Sequence, residues 1–262
     1  MQIPFYKYQG TGNDFIIIDN RNLSFNGKNI KAIKQLCNRK FGIGADGFML
    51  LQNKAGFDFE VIYFNSDGSK SLCGNGSRCI VNFAKKIGII HNDKTTFLAI
   101  DGEHQAIIKK NGQVSLKMRD VENVEINKSF YFLNTGSPHY VSFIDGLKHF
   151  DVFFQGKKIR NKPRFIKEGT NVNFVEITSF SSLFVRTYER GVEAETLSCG
   201  TGVTACALAA SLKEGTKGPS FYNIQTTGGK LKVRFKKNNS TFSNIWLQGQ
   251  AKYVFSGEIE IQ

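Results

Sequence analysis

The chain repeats itself at about half its length, and that repeat limits what it can fold into. Cys73-Gly74-Asn75-Gly76 and Cys199-Gly200-Thr201-Gly202 carry one Cys-Gly-x-Gly pattern, 126 residues apart in a chain of 262. Each heads a helix-like run that stops at a glycine, Gly88 after Lys85-Lys86 and Gly215 after Lys213, as helix ends do. Thr11-Gly12-Asn13 returns as Thr135-Gly136-Ser137, 124 residues on. The alternating run from Phe57 to Asn65 returns as Leu183–Glu189, and Asn65 to Glu189 is again 124. Ordered landmarks at one spacing indicate an internal duplication. The expected organisation is two similar domains, residues 1–126 joined by a C-terminal strand at 252–262, and residues 127–251.

Strand patterns outnumber helical ones in both halves. Val114–Met118, Leu231–Phe235 and Ile259-Glu260-Ile261 alternate as half-buried strands do. The run Ala205–Leu212 is apolar nearly all round, so that helix needs enclosure on every side. The fold class expected is α+β: two pseudo-symmetric domains, each a curled, barrel-like mixed or antiparallel sheet around a central helix. The active site is expected in the cleft between them.

Composition excludes more than it points to. The 22% charged and 13% aromatic content leaves ample apolar area for a core. No run of 18 apolar residues predicts a membrane span. Met1-Gln2-Ile3-Pro4-Phe5-Tyr6-Lys7 lacks a signal-peptide pattern, so a cytoplasmic location is expected. The net charge of +13 invites a nucleic-acid reading. Its make-up argues against one. There are 26 Lys but only 9 Arg, alongside 22 Asn, and the basic runs are mere pairs. Phosphate and base readers lean on Arg forks.

Five cysteines, an odd number, argue against a disulfide framework. No Cys-x-x-Cys occurs and the four histidines are not at ligand spacing, so no metal is expected. Cys37, on the apolar face of Ile30–Cys37, reads as a small buried hydrophobe, and Cys79 and Cys206 fall inside apolar helical runs. Cys73 and Cys199 differ, because each stands at a helix start. Such a position lowers a thiol pKa from about 8.5 and surrounds an anion with backbone donors. If a pseudo-twofold axis relates the domains, the two thiols face each other. One takes a proton from a carbon centre and the other returns one on the opposite face. Two other readings stand beside this: tight turns with buried thiols, or one nucleophilic cysteine with His139 as its base.

The motifs also resemble a known family, diaminopimelate epimerase, over essentially the whole chain. The resemblance is carried by Gly10-Thr11-Gly12-Asn13-Asp14-Phe15, Gly42-Ile43-Gly44-Ala45-Asp46-Gly47, and Asn65-Ser66-Asp67-Gly68-Ser69 leading to Cys73–Arg78. It continues in Gly136-Ser137-Pro138-His139, Glu168–Phe174, Glu189-Arg190-Gly191 and Glu195–Gly202. It implies a homodimeric isomerase that interconverts LL- and meso-diaminopimelate in lysine and peptidoglycan precursor synthesis. No cofactor is implied, and no nucleic-acid or membrane partner.

Carried over by position, Cys73 and Cys199 are the catalytic pair, with His139 and Glu189 as the neighbours that tune them. Asn13, Asn65, Asn171, Glu189 and Arg190 look like the polar set that grips the substrate. Gly74-Asn75 and Gly200-Thr201 would hold its reacting carboxylate, and Gly47 and Ser137 would border it. The chain departs from the family pattern at Ser137, where Asn is frequent, and in residues 70–72, which are one fewer than usual. The Gly191–Glu195 loop is one residue longer than in some relatives. A related proline or hydroxyproline racemase would show a His where Asn75 stands. A relative of the phenazine-pathway isomerase would lack the two bases. Abstraction of so weakly acidic an α-proton needs desolvation, so domain closure is expected. Facing thiols would also be open to an inactivating disulfide.

Overall fold

The computed structural model describes residues 2–215 and 218–260. The chain divides into two compact units, Met1–Leu116 with Gly249–Gln262, and Lys117–Gln248. In the first, β1 (Gln2–Gly10) turns at Thr11-Gly12 into β2 (Asn13–Asp19), and α1 (Ile30–Cys37) leads to β3 (Gly47–Gln52) and β4 (Phe59–Asn65). After α2 (Gly74–Lys86) come β5 (Lys94–Ala99), β6 (Gly102–Ile108) and β7 (Val114–Lys117). The β1–β2 pair is antiparallel, β2–β3 parallel, β3–β4 antiparallel, β4–β5 parallel, and β5–β6–β7 antiparallel.

The second unit opens with β8 (Val124–Ile126), β9 (Tyr131–Asn134) and β10 (Pro138–Phe143), then α3 (Val152–Arg160) and α4 (Pro163–Ile166). There follow β11 (Asn171–Ser179), β12 (Ser182–Glu189), β13 (Ala194–Thr196), α5 (Gly200–Lys213), β14 (Phe221–Thr226), β15 (Gly229–Asn238) and β16 (Thr241–Gly249). Its pairings run in the order of the first: β9–β10 antiparallel, β10–β11 parallel, β11–β12 antiparallel, β12–β14 parallel, β14–β15 antiparallel. Register repeats as well. Phe15 lies opposite Gly47 in β2–β3, and His139 lies opposite Asn171 in β10–β11, each residue 124 after its counterpart. Finally β17 (Lys252–Glu260) returns to pair antiparallel with β1. The expected strand at 259–261 is its end, with Ile261 outside the described residues.

Each unit wraps its sheet around one helix. The helix α2 packs on β1, β2, β3, β6 and β17, and α5 on β9, β10, β11, β12, β14 and β15. Every residue from Gly202 to Ser211 is buried, as the all-round apolar run requires. Lys85 and Lys86 occupy the last turn of α2, and Gly88 follows at φ 78°, a left-handed stop that a Cβ would strain. The outer sheet faces are covered by α1, with Ile33 and Cys37 against Ile16, Ile18, Phe48 and Leu50, and by α3, with Val152 in a cluster with Tyr140, Val172 and Tyr188. Burial pushes the Cys37 thiol up to about 11, in keeping with a structural role.

Two expectations shift. Residues 117–126 belong to the second unit rather than the first, because Met118 N–H donates to Ile245 O at 2.9 Å, Val121 bridges Phe242, and β8 pairs with β9. The return to the first unit comes at Gly249, ahead of residue 252. The strand expected from Phe57 starts at Phe59. Asp58 ends a turn, and its carboxylate accepts from the Thr95 hydroxyl at 2.7 Å and the Thr96 N–H at 2.9 Å. Among the described residues, no helix is long and apolar enough to cross a membrane.

Candidate active site

Cys73 is the N-cap of α2, in extended backbone at φ −124°, and its sulfur accepts from the Gly76 N–H at 3.5 Å. First-turn amides of a helix lack acceptors within it, so this tip concentrates donors and the positive end of the helix dipole around the sulfur. The β1–β2 turn lies against the tip. A Cβ on Gly10 would stand 3.1 Å from both Asn75 O and Cys79 Sγ, so the strand approaches as closely as it does only because residue 10 is glycine.

Arg78, fully buried, donates to the Thr11 hydroxyl at 2.7 Å and to Asn75 Oδ1 at 2.8 Å. Asn75 Nδ2 in turn donates to Asn13 Oδ1, and Asn13 Nδ2 to Asp46 Oδ2 at 3.1 Å. Two predicted residues, Asn13 and Asn75, thus meet in one hydrogen-bonded group with Arg78, on the helix that Cys73 caps. Behind them Lys7 and Arg39 clamp Asp14 at 2.8 and 2.6 Å. Burial alone would raise the Asp14 pKa, but the Arg39 and Lys7 hydrogen bonds outweigh it and hold it down at about 2. Asn65 stands apart from this chain. Its amide donates to Ser69 Oγ at 2.9 Å and its carbonyl accepts from Ser71 at 3.1 Å, which fixes the shortened loop that delivers Cys73.

The second unit builds the same tip with different side chains. Cys199 is the N-cap of α5, at φ −114°, and Thr135 Oγ donates to Thr201 O at 2.8 Å, binding the turn to the helix as Arg78 and Thr11 do in the first unit. His139 is wholly buried. Burial, then the Arg190 charge, lowers its pKa to about 3 against the opposing Asn173 bond, so it is neutral. Asn173 Nδ2 donates to Tyr140 O at 2.9 Å and faces His139 Nδ1 at 3.1 Å. Because the amide is a donor, Nδ1 accepts and the network assigns the ring proton to Nε2. That nitrogen lies 3.0 Å from Ser137 Oγ, Ser137 Oγ 3.3 Å from Thr201 Oγ1, and Thr201 Oγ1 3.5 Å from Cys199 Sγ. His139 therefore reaches the thiol through two hydroxyls. It is not placed as the direct base of a single nucleophilic cysteine.

Asn171 donates to Ser137 Oγ at 3.1 Å and accepts the Arg190 N–H at 2.9 Å, joining Ser137, Asn171 and Arg190. The Arg190 side chain crosses Gly169, whose Cβ would fall 2.5 Å from its Cδ, and donates to Glu168 O at 2.8 Å. Glu189 accepts from the Thr196 hydroxyl at 2.8 Å. Arg78, Asn173 and Thr187 join the site without having been expected there. Arg78 stood inside a quoted motif. A signal for Asn173 existed, since a polar amide inside the apolar strand Val172–Val175 marks a buried position that needs partners.

These features define a class: duplicated α+β proteins with a cysteine capping the central helix of each unit. Solved structures with this fold include a Bacillus anthracis phenazine biosynthesis protein of the PhzF family, at TM-score 0.76 and 14% identity over all of both chains. A probable proline racemase from Agrobacterium radiobacter aligns at TM-score 0.70 and 14% identity over 99% of this chain and 93% of that one. At such identities the likeness is one of fold alone. The family model for diaminopimelate epimerase matches residues 5–124 and 131–254. The diaminopimelate epimerase of Flavobacterium psychrophilum is 54% identical over 258 residues, covering 98% of this chain and 100% of that protein. That of Chlorobaculum tepidum is 39% identical over 260 residues, covering 96% and 99%. The chain belongs to the diaminopimelate epimerase family, a family of isomerases.

Proposed function

We propose that the chain interconverts LL- and meso-2,6-diaminopimelate by a two-base mechanism, supplying meso-diaminopimelate for lysine and peptidoglycan precursors. The observation that carries this reading is the pair of cysteines, each capping the central helix of its unit at the same place in a repeated strand frame. The thiolate of one cysteine takes the α-proton and the thiol of the other delivers its own proton to the opposite face. One sulfur ends protonated and the other ionised, so atoms and charge balance, and the next turnover runs in reverse or after proton exchange. Backbone donors at Gly74-Asn75 and Gly200-Thr201 stabilise the carboxylate as it gains enediolate character. Arg190, with Asn171 and Glu189, takes the distal amino-acid end of the substrate, and Asn13 and Asn65 border it. Exclusion of water from the bound substrate strengthens these contacts. The protein acts in the cytoplasm as a homodimer without cofactor, and has no nucleic-acid or membrane partner.

The test is LL-diaminopimelate in heavy water. Deuterium enters one α-carbon as the meso form appears, and Cys73→Ala and Cys199→Ala each abolish inversion. Full turnover by either single variant would refute the two-base mechanism. Exchange into proline with none into diaminopimelate would assign the site to the racemase of that imino acid instead.

A further inference from the structure

We propose that Arg78 and Asp46 are positioning residues that give the side-chain amides of Asn75 and Asn13 one fixed direction, and so set the polarity that Asn13 offers to the substrate. The proposal rests on the reading of Asn13 and Asn75 as residues of the substrate site and adds the two groups that hold them.

The bonds form a chain with a donor-only group at one end and an acceptor-only group at the other. A guanidinium has N–H donors and no acceptor, and a carboxylate has acceptors alone. Arg78 is wholly buried on α2, and its acceptors are the Thr11 hydroxyl at 2.7 Å, Asn75 Oδ1 at 2.8 Å and Gly74 O at 3.4 Å. Among the described residues its Nε has no partner, so the Nη groups carry the bonds it makes. Asn75 turns its oxygen to the guanidinium and its nitrogen to Asn13 Oδ1. Asn13 in turn directs its own nitrogen to Asp46 Oδ2 at 3.1 Å. Reversing Asn75 would set N–H against N–H at Arg78, and reversing Asn13 would set oxygen against oxygen at Asp46. A buried donor facing a donor loses its bond outright. Both ends therefore select the same orientation.

Each end is itself held by the fold. The parallel pairing of β2 with β3 sets Phe15 opposite Gly47, and the neighbouring Asp46 N–H donates to Asp14 O at 2.9 Å. Asp46 Oδ1 accepts from Arg39 at 2.7 Å, and Oδ2 accepts from the Asp14 N–H at 3.3 Å. At the other end Arg78 fastens Thr11, whose φ of 56° is a left-handed value that β-branched residues seldom adopt. The turn that leads to Asn13 is thus tied to α2 by the guanidinium that orients Asn75.

The repeat lacks both ends of the chain. Asn13, Asn75, Arg78 and Asp46 correspond to Ser137, Thr201, Thr204 and Thr170, at offsets of 124, 126, 126 and 124. Thr204 Oγ1 donates to Gly200 O of its own helix at 2.9 Å, and Thr170 Oγ1 donates to Asn171 O at 3.0 Å. Between them Ser137 Oγ and Thr201 Oγ1 meet at 3.3 Å as two hydroxyls, either of which can donate. The direction of that contact can reverse, whereas the chain in the first unit has one direction only.

Neutron diffraction from crystals of the deuterated full chain tests the direction without substrate. Deuterons are expected on Asn75 Nδ2 toward Asn13 Oδ1 and on Asn13 Nδ2 toward Asp46 Oδ2. An amide oxygen in either place overturns the proposal. Asp46→Asn tests the consequence, because an amide of the same shape can either donate or accept and no longer fixes the chain. It should raise KM for diaminopimelate about tenfold with kcat within about twofold of wild type. An unchanged KM, or a fall in kcat at the wild-type KM, overturns the proposal. Arg39→Met removes the surface partner of Asp46 and leaves the chain intact, so it should keep the wild-type KM; an equal rise there assigns the effect to the ion pair and overturns the proposal too. A wild-type protein that does not turn over diaminopimelate refutes the epimerase reading alone, and the deuteron positions then decide the direction by themselves.

Discussion

His139 offers the sharpest quantitative check, because a neutral imidazole at zero exposure makes stability depend on pH in a defined direction. Its pKa falls from about 6.5 in the unfolded chain to about 3 in the fold, through burial first and the Arg190 charge second. The folded protein therefore resists protonation there, and the unfolded chain binds the extra proton. Stability from this group is complete above about pH 6.5 and is lost as pH falls toward 3. At pH 5 the loss is about 2 kcal/mol, and it grows to about 4 kcal/mol near pH 3. The pH 5 figure hardly changes for any folded value below about 4, since the unfolded chain's titration sets it.

His139→Asn removes the titration, while its carbonyl can still accept from Asn173. Urea unfolding of both proteins at pH 7.5 and pH 5 should show the wild type losing about 2 kcal/mol more than the variant over that interval. The variant starts lower at pH 7.5, by about 1–3 kcal/mol, because the smaller side chain leaves Ser137 without its ring partner. Only the difference in slope tests the reasoning. Asp14, held near 2, stays ionised throughout this interval and cancels between the two proteins. Parallel losses in wild type and variant would mean that His139 is solvated or charged in the fold, and the proton assignment along Ser137 and Thr201 would fall with it.

Gly202→Ala places a Cβ 2.4 Å from Asn173 Oδ1 and 3.3 Å from Cys199 Sγ. Asn173 is buried and bonded on both sides of its amide, so the clash costs about 2–4 kcal/mol. A fall of roughly 5–10 °C in melting temperature is expected by calorimetry, and an unchanged melt would contradict the packing around the thiol. Glu125→Gln tests the opposite case. Arg164 holds the Glu125 pKa down at about 2, yet their side chains are 48% and 40% exposed. Water screens such a pair, so urea unfolding should give the wild-type midpoint, and a clear loss would show a coupling that the exposed geometry does not explain.

The duplication was legible because it lives in local motifs: Thr-Gly turns that need left-handed backbone, as at Gly12 with φ 93° and Gly136 with φ 117°, and cysteines set before glycines at helix starts. The enclosure of α5 was legible from Ala205–Leu212 for the same reason. What escaped was set by pairs far apart in the chain. The bond from Met118 to Ile245 joins residues more than 120 apart, and no pattern near residue 118 announces it, so the unit boundary was misplaced by ten residues. The packing of Tyr63 over Gly47 escaped differently. In an alternating strand a tyrosine is an ordinary inward residue, and the place of its ring depends on a glycine on the neighbouring strand, which no single-strand pattern records.

That last point bears on how a duplicated fold can serve an asymmetric task. Inversion by two sulfurs requires that one be ionised while the other is protonated, whereas an unaltered duplication would supply two equal thiols. The backbone has kept the repeat: strand order and register match across 124 residues, and a cysteine caps each central helix, 126 residues apart. The side chains facing the two helix tips have not. At three matched positions the first unit carries Phe15, Met49 and Tyr63, and the second carries His139, Asn173 and Thr187. The first helix tip has Met49 and Phe15 packed beside Gly76, with the buried Arg78 as the cationic neighbour of Cys73. The second sulfur sits at the end of a chain of hydroxyls that terminates in a neutral imidazole. The two shells differ in kind, a buried guanidinium in the first against a hydrogen-bond chain in the second. The difference between the two thiol surroundings is carried by strand residues of the sheet, while each thiol stands at the N-cap of its helix.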